Sequence, residues 1–191
     1  MKKLLLHTCC APCLSGANEA FLNSGLDITG YFYNPNIHPQ LELVERVRAL
    51  NKYSELKKFN AIIIDGYDID LFKKEVVDRS GDRCVNCYRL RLESTAEHAA
   101  VNSFDRFSTT LLLSPYQKHD MIRIVGEDVS RKYGIKFYYR DLRPFYSGSV
   151  KTSKEMGLYR QKYCGCYLSS RPQSNTTSFP LPTTSLPDMI L

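Results

Sequence analysis

Seven cysteines in a chain of 191 residues fall into three tight groups: Cys9, Cys10 and Cys13 in HTCCAPC, Cys84 and Cys87 in RCVNCY, and Cys164 and Cys166 in YCGCY. None is solitary. A thiolate binds soft and borderline metals strongly, and C-x-x-C spacing lets two sulfurs from one turn close on a single centre. A lone cysteine is most often a small buried hydrophobe, but seven in three groups do not fit that role. A structural zinc takes four ligands and leaves three thiols idle. A dithiol of the thioredoxin type fits Cys10-Ala-Pro-Cys13, which follows a strand and precedes a helix whose N-terminus lowers a thiol pKa, yet it leaves the other two groups unexplained. An iron–sulfur site accounts for the count better, because a [4Fe–4S] cluster takes four thiolates, or three with one iron open. Three or four sulfurs then remain. Cys9 and Cys10, adjacent at a strand end, are expected to point in different directions. The spacing allows a cluster beside a second, mononuclear metal, without assigning individual sulfurs.

The elements that must position these groups show in the hydropathy pattern. Apolar runs at 3–7, 28–34, 61–65, 106–110 and 136–140 alternate with amphipathic stretches at 14–24, 39–58, 69–78, 84–100 and 118–133, and a last short helix is expected near 151–161. Such alternation predicts an α/β, Rossmann-like fold: a mostly parallel sheet with helices on both faces and the ligand site at the carboxyl edge of the strands. Each cysteine group then lies in or beside a loop at that edge.

Lys and Arg number 26 against 20 Asp and Glu. Residues 1–100 carry 13 basic and 13 acidic side chains, whereas 101–191 carry 13 basic and 7 acidic. The excess in the second half points toward a polyanionic partner, although taken alone such asymmetry is more often a solvated basic face. The start, MKKLLLHTCC, has three consecutive leucines, short of the apolar core of a signal peptide, and no segment has the length of a membrane helix. The chain therefore reads as cytoplasmic, with its thiols reduced and no membrane partner. Residues 1–170 read as one metalloenzyme domain, and the Pro-, Ser- and Thr-rich 171–191 as a flexible tail.

Taken together, HTCCAPC (7–13), YNPNIHP (33–39), CVNCYRLRL (84–92), TTLLLSPYQKHD (109–120), DLRP (141–144) and GLYRQKYCGC (157–166) resemble the cobalamin-independent epoxyqueuosine reductases called QueH. The resemblance spans about residues 3–168. It implies reduction of the epoxide of epoxyqueuosine, at the wobble position of tRNA, to the alkene of queuosine. It also implies an iron–sulfur cofactor, a HUP-like variant of the Rossmann-like fold and an electron donor protein as partner. HTCCAPC stands where ATP users of that fold group carry a glycine- and serine-rich phosphate loop, which argues against ATP use.

For this chemistry the sequence reading assigns Cys10, Cys84, Cys87 and Cys164 to a [4Fe–4S] cluster and Cys9, Cys13 and Cys166 to a second, mononuclear metal beside it, for which iron is the candidate. Asp82 and Asp141 are the nearest acidic candidates for a further ligand or proton donor. His38, whose ordinary pKa of about 6.5 suits proton transfer near neutrality, is a candidate acid for the leaving oxygen, against a plain capping role in a turn. The anticodon stem-loop offers splayed bases and phosphates. Tyr88, Tyr138, Tyr139, Tyr146, Tyr159 and Tyr163 are candidates for stacking, and Lys118, Arg140, Arg143, Lys151, Lys154, Arg160 and Lys162 for phosphate contacts.

Overall fold

The run Leu4-Leu5-Leu6 has no solvent exposure at any of its three side chains. Successive side chains of a strand point to opposite faces, so this strand must be covered on both. It is β1 (Lys2–His7), the central strand in a computed structural model that describes residues 1–64 and 67–169. The chain continues through α1 (Ala11–Phe21), β2 (Leu26–Phe32), α2 (Gln40–Lys57), β3 (Ala61–Ile63) and α3 (Ile69–Phe72), then a π-helical turn over Lys73–Val77. After these come α4 (Arg83–Val101), β4 (Arg106–Thr109), α5 (His119–Tyr133), β5 (Lys136–Phe137) and α6 (Tyr146–Glu155).

The sheet order is β3-β2-β1-β4-β5 and every pairing is parallel. Strand order reverses at β1, the position in such sheets where ligands bind beyond the carboxyl ends. One helical layer contains α1, which packs against α2 and α6; the other pairs α4 with α5. The expected Rossmann-like architecture is therefore present. Gly16 lets α6 approach α1, since a Cβ there would lie 2.8 Å from Ser149 Cβ and 2.9 Å from Leu113 Cδ1.

Several local expectations are corrected. The first helix begins at Ala11 rather than 14, because Cys10 caps it and Pro12 suits its first turn, so Cys13 is helical and not in a loop. The last helix lies at Tyr146–Glu155 rather than 151–161. It stops before Gly157, whose φ of 58° is left-handed. Only Lys136–Phe137 of the expected strand 136–140 pairs with the sheet. No helix among the described residues is long and apolar enough to cross a membrane. The tail expected over 171–191 lies outside the described residues.

Candidate metal centre

The carboxyl end of β1 is built by hydrogen bonds to the end of β4. His7 Nδ1 lies 2.8 Å from Thr109 Oγ1, and the Cys9 N–H donates to Thr110 Oγ1 at 3.0 Å. The Thr110 hydroxyl in turn donates to Cys9 Sγ at 3.3 Å. Cys10, in extended backbone, is the N-cap of α1, and its sulfur accepts the Cys13 N–H at 3.4 Å. This cap overrides the strand alternation. The sulfurs of Cys9 and Cys10 stand 3.8 Å apart instead of pointing in different directions, and with Cys13 all three lie within 4.8 Å of one another.

The three thiols do not ionise alike. Hydrogen bonds involving Cys10 and Cys13 pull Cys9 well below the usual thiol range, whereas burial pushes Cys10 up to about 12. Cys13 is raised well above the ordinary value by its hydrogen-bonding arrangement with Cys10 and Cys9. Three thiolates this close repel one another, and a bound cation reverses that logic.

Asp82 caps α4, accepting the N–H groups of Cys84 at 2.8 Å and Val85 at 3.2 Å. Cys84 and Cys87 therefore occupy the first turn of α4, three residues apart on one face. Burial holds both thiols above the ordinary value, Cys87 at about 11, and both also feel Cys164. The third group sits in a non-helical segment held down by α2 and its preceding loop. Arg46 donates to the carbonyls of Tyr163 at 3.0 Å and Cys164 at 3.2 Å, and Asn36 Nδ2 to that of Cys164 at 3.2 Å. The His38 N–H reaches the Gly165 carbonyl at 2.8 Å. Gly165, at φ 107°, lies so close to Ile37 that a Cβ would meet it at 2.8 Å. Cys166 packs against the patch formed by Phe72, Val76 and Cys87.

Six cysteines line one cavity of about 490 Å³: Cys9, Cys13, Cys84, Cys87, Cys164 and Cys166. Cys10 lies buried behind them, where Gln161 Nε2 donates to its sulfur at 2.8 Å. Among the described residues neither carboxylate nor imidazole lines this cavity, while Arg46, Arg83, Arg91, Lys118 and Lys162 do. A soft, all-sulfur donor set under a ring of cations fits an anionic iron–sulfur cluster, and the Cys9, Cys10, Cys13 triplet fits a thiophilic metal ion.

The structure does not bring His38, Asp82 or Asp141 into the lining. His38 is buried, its ring 5.1 Å from that of Tyr67 and 5.4 Å from that of Phe72, and burial lowers its pKa. Asp82 acts at the rim through its cap and through Lys118, whose ammonium it holds at 2.5 Å. Asp141 is bound to Arg143, which takes its carboxyl down to about 2. Of the candidate stacking tyrosines, Tyr88, Tyr146 and Tyr163 line the cavity and Tyr138, Tyr139 and Tyr159 do not; of the candidate phosphate contacts, Lys118 and Lys162 do. Sequence reasoning missed Arg46, Arg91, Tyr116, Thr110 and Gln161 as lining residues. For Arg46 a signal existed: it shares the buried face of α2 with Leu43, Leu50 and Tyr53.

The sequence profile of the family described as Epoxyqueuosine reductase QueH matches residues 4–172. The epoxyqueuosine reductase QueH of Dehalococcoides mccartyi is 39% identical over 167 residues, covering 87% of this chain and 92% of that protein. That of Thermotoga maritima is 36% identical over 186 residues, 88% and 91% of the two chains. Among solved structures, the U34-tRNA thiolase NcsA from Methanococcus maripaludis with its [4Fe-4S] cluster superposes with a TM-score of 0.51 at 11% identity. That superposition covers 97% of this chain and 61% of the thiolase, a likeness of fold alone. On the profile match and these relatives, the chain belongs to the epoxyqueuosine reductase QueH family and is an oxidoreductase.

Proposed function

We propose that this chain reduces epoxyqueuosine to queuosine at the wobble position of tRNA, holding a [4Fe–4S] cluster and a mononuclear iron in the cysteine-lined cavity. The observation that carries the reading is the convergence of six thiols from three distant segments on one cavity that no carboxylate or imidazole of the described residues lines, in a member of this family. Breaking both C–O bonds of the epoxide and forming the alkene takes two electrons and two protons and releases water. When bound, the cluster supplies electrons one at a time from a donor protein, and an open metal position polarises the oxygen.

The grouping of sulfurs refines the sequence assignment. Cys9, Cys10 and Cys13 form one set, and Cys84, Cys87, Cys164 and Cys166 are linked by packing and mutual charge effects. We assign the quartet to the cluster and the triplet to the single iron, which exchanges the roles of Cys10 and Cys166. His38 and Asp141 have no part in this proposal, and Asp82 has the part of positioning Lys118.

The protein's own residues do the rest. Tyr88, Tyr146 and Tyr163 in the lining, and Tyr116 at the mouth with 83% of its surface exposed, give faces for the base and its neighbours. Lys118 and Lys162 offer charge to the anticodon phosphates and protons to the leaving oxygen. A reduced, cytoplasmic setting suits free thiols and a tRNA substrate. The test is anaerobic preparation followed by iron, sulfide and zinc analysis. More iron than acid-labile sulfide, with a brown absorption spectrum, is expected; zinc alone after anaerobic reconstitution with iron and sulfide would favour a zinc-stabilised nucleic-acid binding module, and no metal a dithiol oxidoreductase.

A further inference from the structure

Arg91 stands one helical turn after Cys87, so Cys84, Cys87 and the guanidinium share a face of α4. Its exposure is 4%, and it lines the cavity. Its hydrogen bond goes from Nε–H to the Cys87 carbonyl at 3.0 Å, within its own helix, and its guanidinium carbon lies 5.7 Å from the centre of the Tyr88 ring. Among the described residues Arg91 forms no ion pair, and no carboxylate lines the cavity. Arg46, the other buried arginine of the wall, is different: Glu42 sits 2.8 Å from it and balances its charge.

An arginine does not shed its proton in a protein, so a buried guanidinium without a carboxylate raises the free energy of the fold until an anion comes near it. The cavity that Arg91 lines is lined also by Cys84 and Cys87 from its own helix and by Cys9 and Cys13 from the end of β1 and the start of α1, so its charge faces the space where the negative charge of a thiolate-bound cluster would be.

We propose that Arg91 is the charge-matching residue of this cavity: it faces the bound iron–sulfur cluster and raises its reduction potential by favouring the form that carries one more electron. The inference rests on the cluster assignment of the proposed function. It predicts opposite effects with and without metal. In the metal-free protein, removing the unpaired charge leaves the fold as stable or more so. In the loaded protein, the same change makes the cluster harder to reduce.

The test compares full-length wild type, Arg91→Met and Arg91→Lys by a redox titration of the anaerobically reconstituted cluster, with melting of the metal-free proteins measured alongside. At the potential where half the wild-type cluster is reduced, the reduced-to-oxidised ratio of Arg91→Met should be lower by about tenfold, equivalent to about 59 mV for a one-electron couple. Arg91→Lys should stay within about threefold of wild type, since the charge is kept. Metal-free Arg91→Met should melt at or above the wild-type temperature. Failure of Arg91→Met to hold a cluster while Arg91→Lys holds one would likewise support the charge requirement. A wild-type potential in Arg91→Met overturns the proposal. So does metal-free Arg91→Met that melts lower or does not fold, or an Arg91→Lys variant that loses the cluster too. An unchanged potential with weakened tRNA binding would overturn it by assigning the charge to a phosphate. If wild type assembles no cluster, the cofactor reading itself has failed, and that is seen before any variant is compared.

Discussion

The two walls of the cavity are held in different ways. At the β1–α1 junction, Cys9 and Cys10 are buried, their strand is central, and hydrogen bonds from the end of β4 hold Cys9. On the opposite wall, Cys84 and Cys164 are exposed, and the segment with Cys164 and Cys166 is tied down by Arg46, Asn36 and the His38 N–H. The first wall is fixed by the fold itself, because its geometry follows from a fully buried strand and a helix cap. The second is a strap whose geometry depends on a few polar contacts. The triplet is therefore held in place by the fold, whereas the placement of Cys164 and Cys166 rests on those polar contacts.

The largest expected effects separate the walls by the metals proposed for them. Cys84→Ser or Cys87→Ser should abolish the cluster absorption and lower turnover by more than about 100-fold, because an oxygen ligand holds the cluster poorly. Cys9→Ser, Cys13→Ser and Cys10→Ser should lose turnover while most of the cluster absorption remains. Cys10 is the sharpest of the three, since the sequence reading assigns it to the cluster and the proposal, from the 4.8 Å triplet, assigns it to the single iron. Loss of the cluster in Cys10→Ser, read by absorption and iron content, would restore the first assignment.

Next in size is an overpacking test of the preformed wall. Gly16→Ala puts a methyl 2.8 Å from Ser149 Cβ, so it should destabilise the protein by about 1–3 kcal/mol, measured by denaturant unfolding of the metal-free protein. The strap responds locally instead. Arg46→Met removes the donors to the Tyr163 and Cys164 carbonyls, and hydrogen exchange over 157–166 should become easier by about 1–3 kcal/mol while β1 amides stay protected. Equal loss of protection in β1 would contradict the division into a preformed wall and a tied one.

Away from both walls the effect should be smallest. Arg143 holds Asp141 at about 2, below the ordinary carboxylate value of about 3.9. The pair therefore adds stability that is complete above about pH 4 and is lost as pH falls through about 2. Because the pair is partly exposed, Asp141→Asn should cost no more than about 1 kcal/mol at pH 6 and nothing near pH 2, by thermal melting across that range.

Legibility in the sequence follows the same division. The leucines of β1 and the alternation of runs predict the sheet, and cysteine spacing predicts thiols close enough to share a metal, because both are local patterns with a fixed period or reach. Convergence of the three cysteine groups follows from the parallel topology, so it too is readable. The direction of Cys10 is not, because a helix cap replaced the strand alternation. That His38 and Asp141 lie outside the cavity lining is unreadable for another reason: burial beside Phe72 and pairing with Arg143 are long-range or side-chain facts that spacing does not encode. The threonines of TTLLL, which join β4 to the cysteine loop, carried no chemical signal of their own.

Turnover on modified tRNA is the decisive measurement. Anaerobically reconstituted protein, given a strong one-electron reductant and no cobalamin, is incubated with tRNA carrying epoxyqueuosine, and the digested nucleosides are separated by mass. Conversion of epoxyqueuosine to queuosine, a product lighter by one oxygen atom, is the predicted result. Cluster-replete protein that leaves the epoxide intact under these conditions would contradict the account.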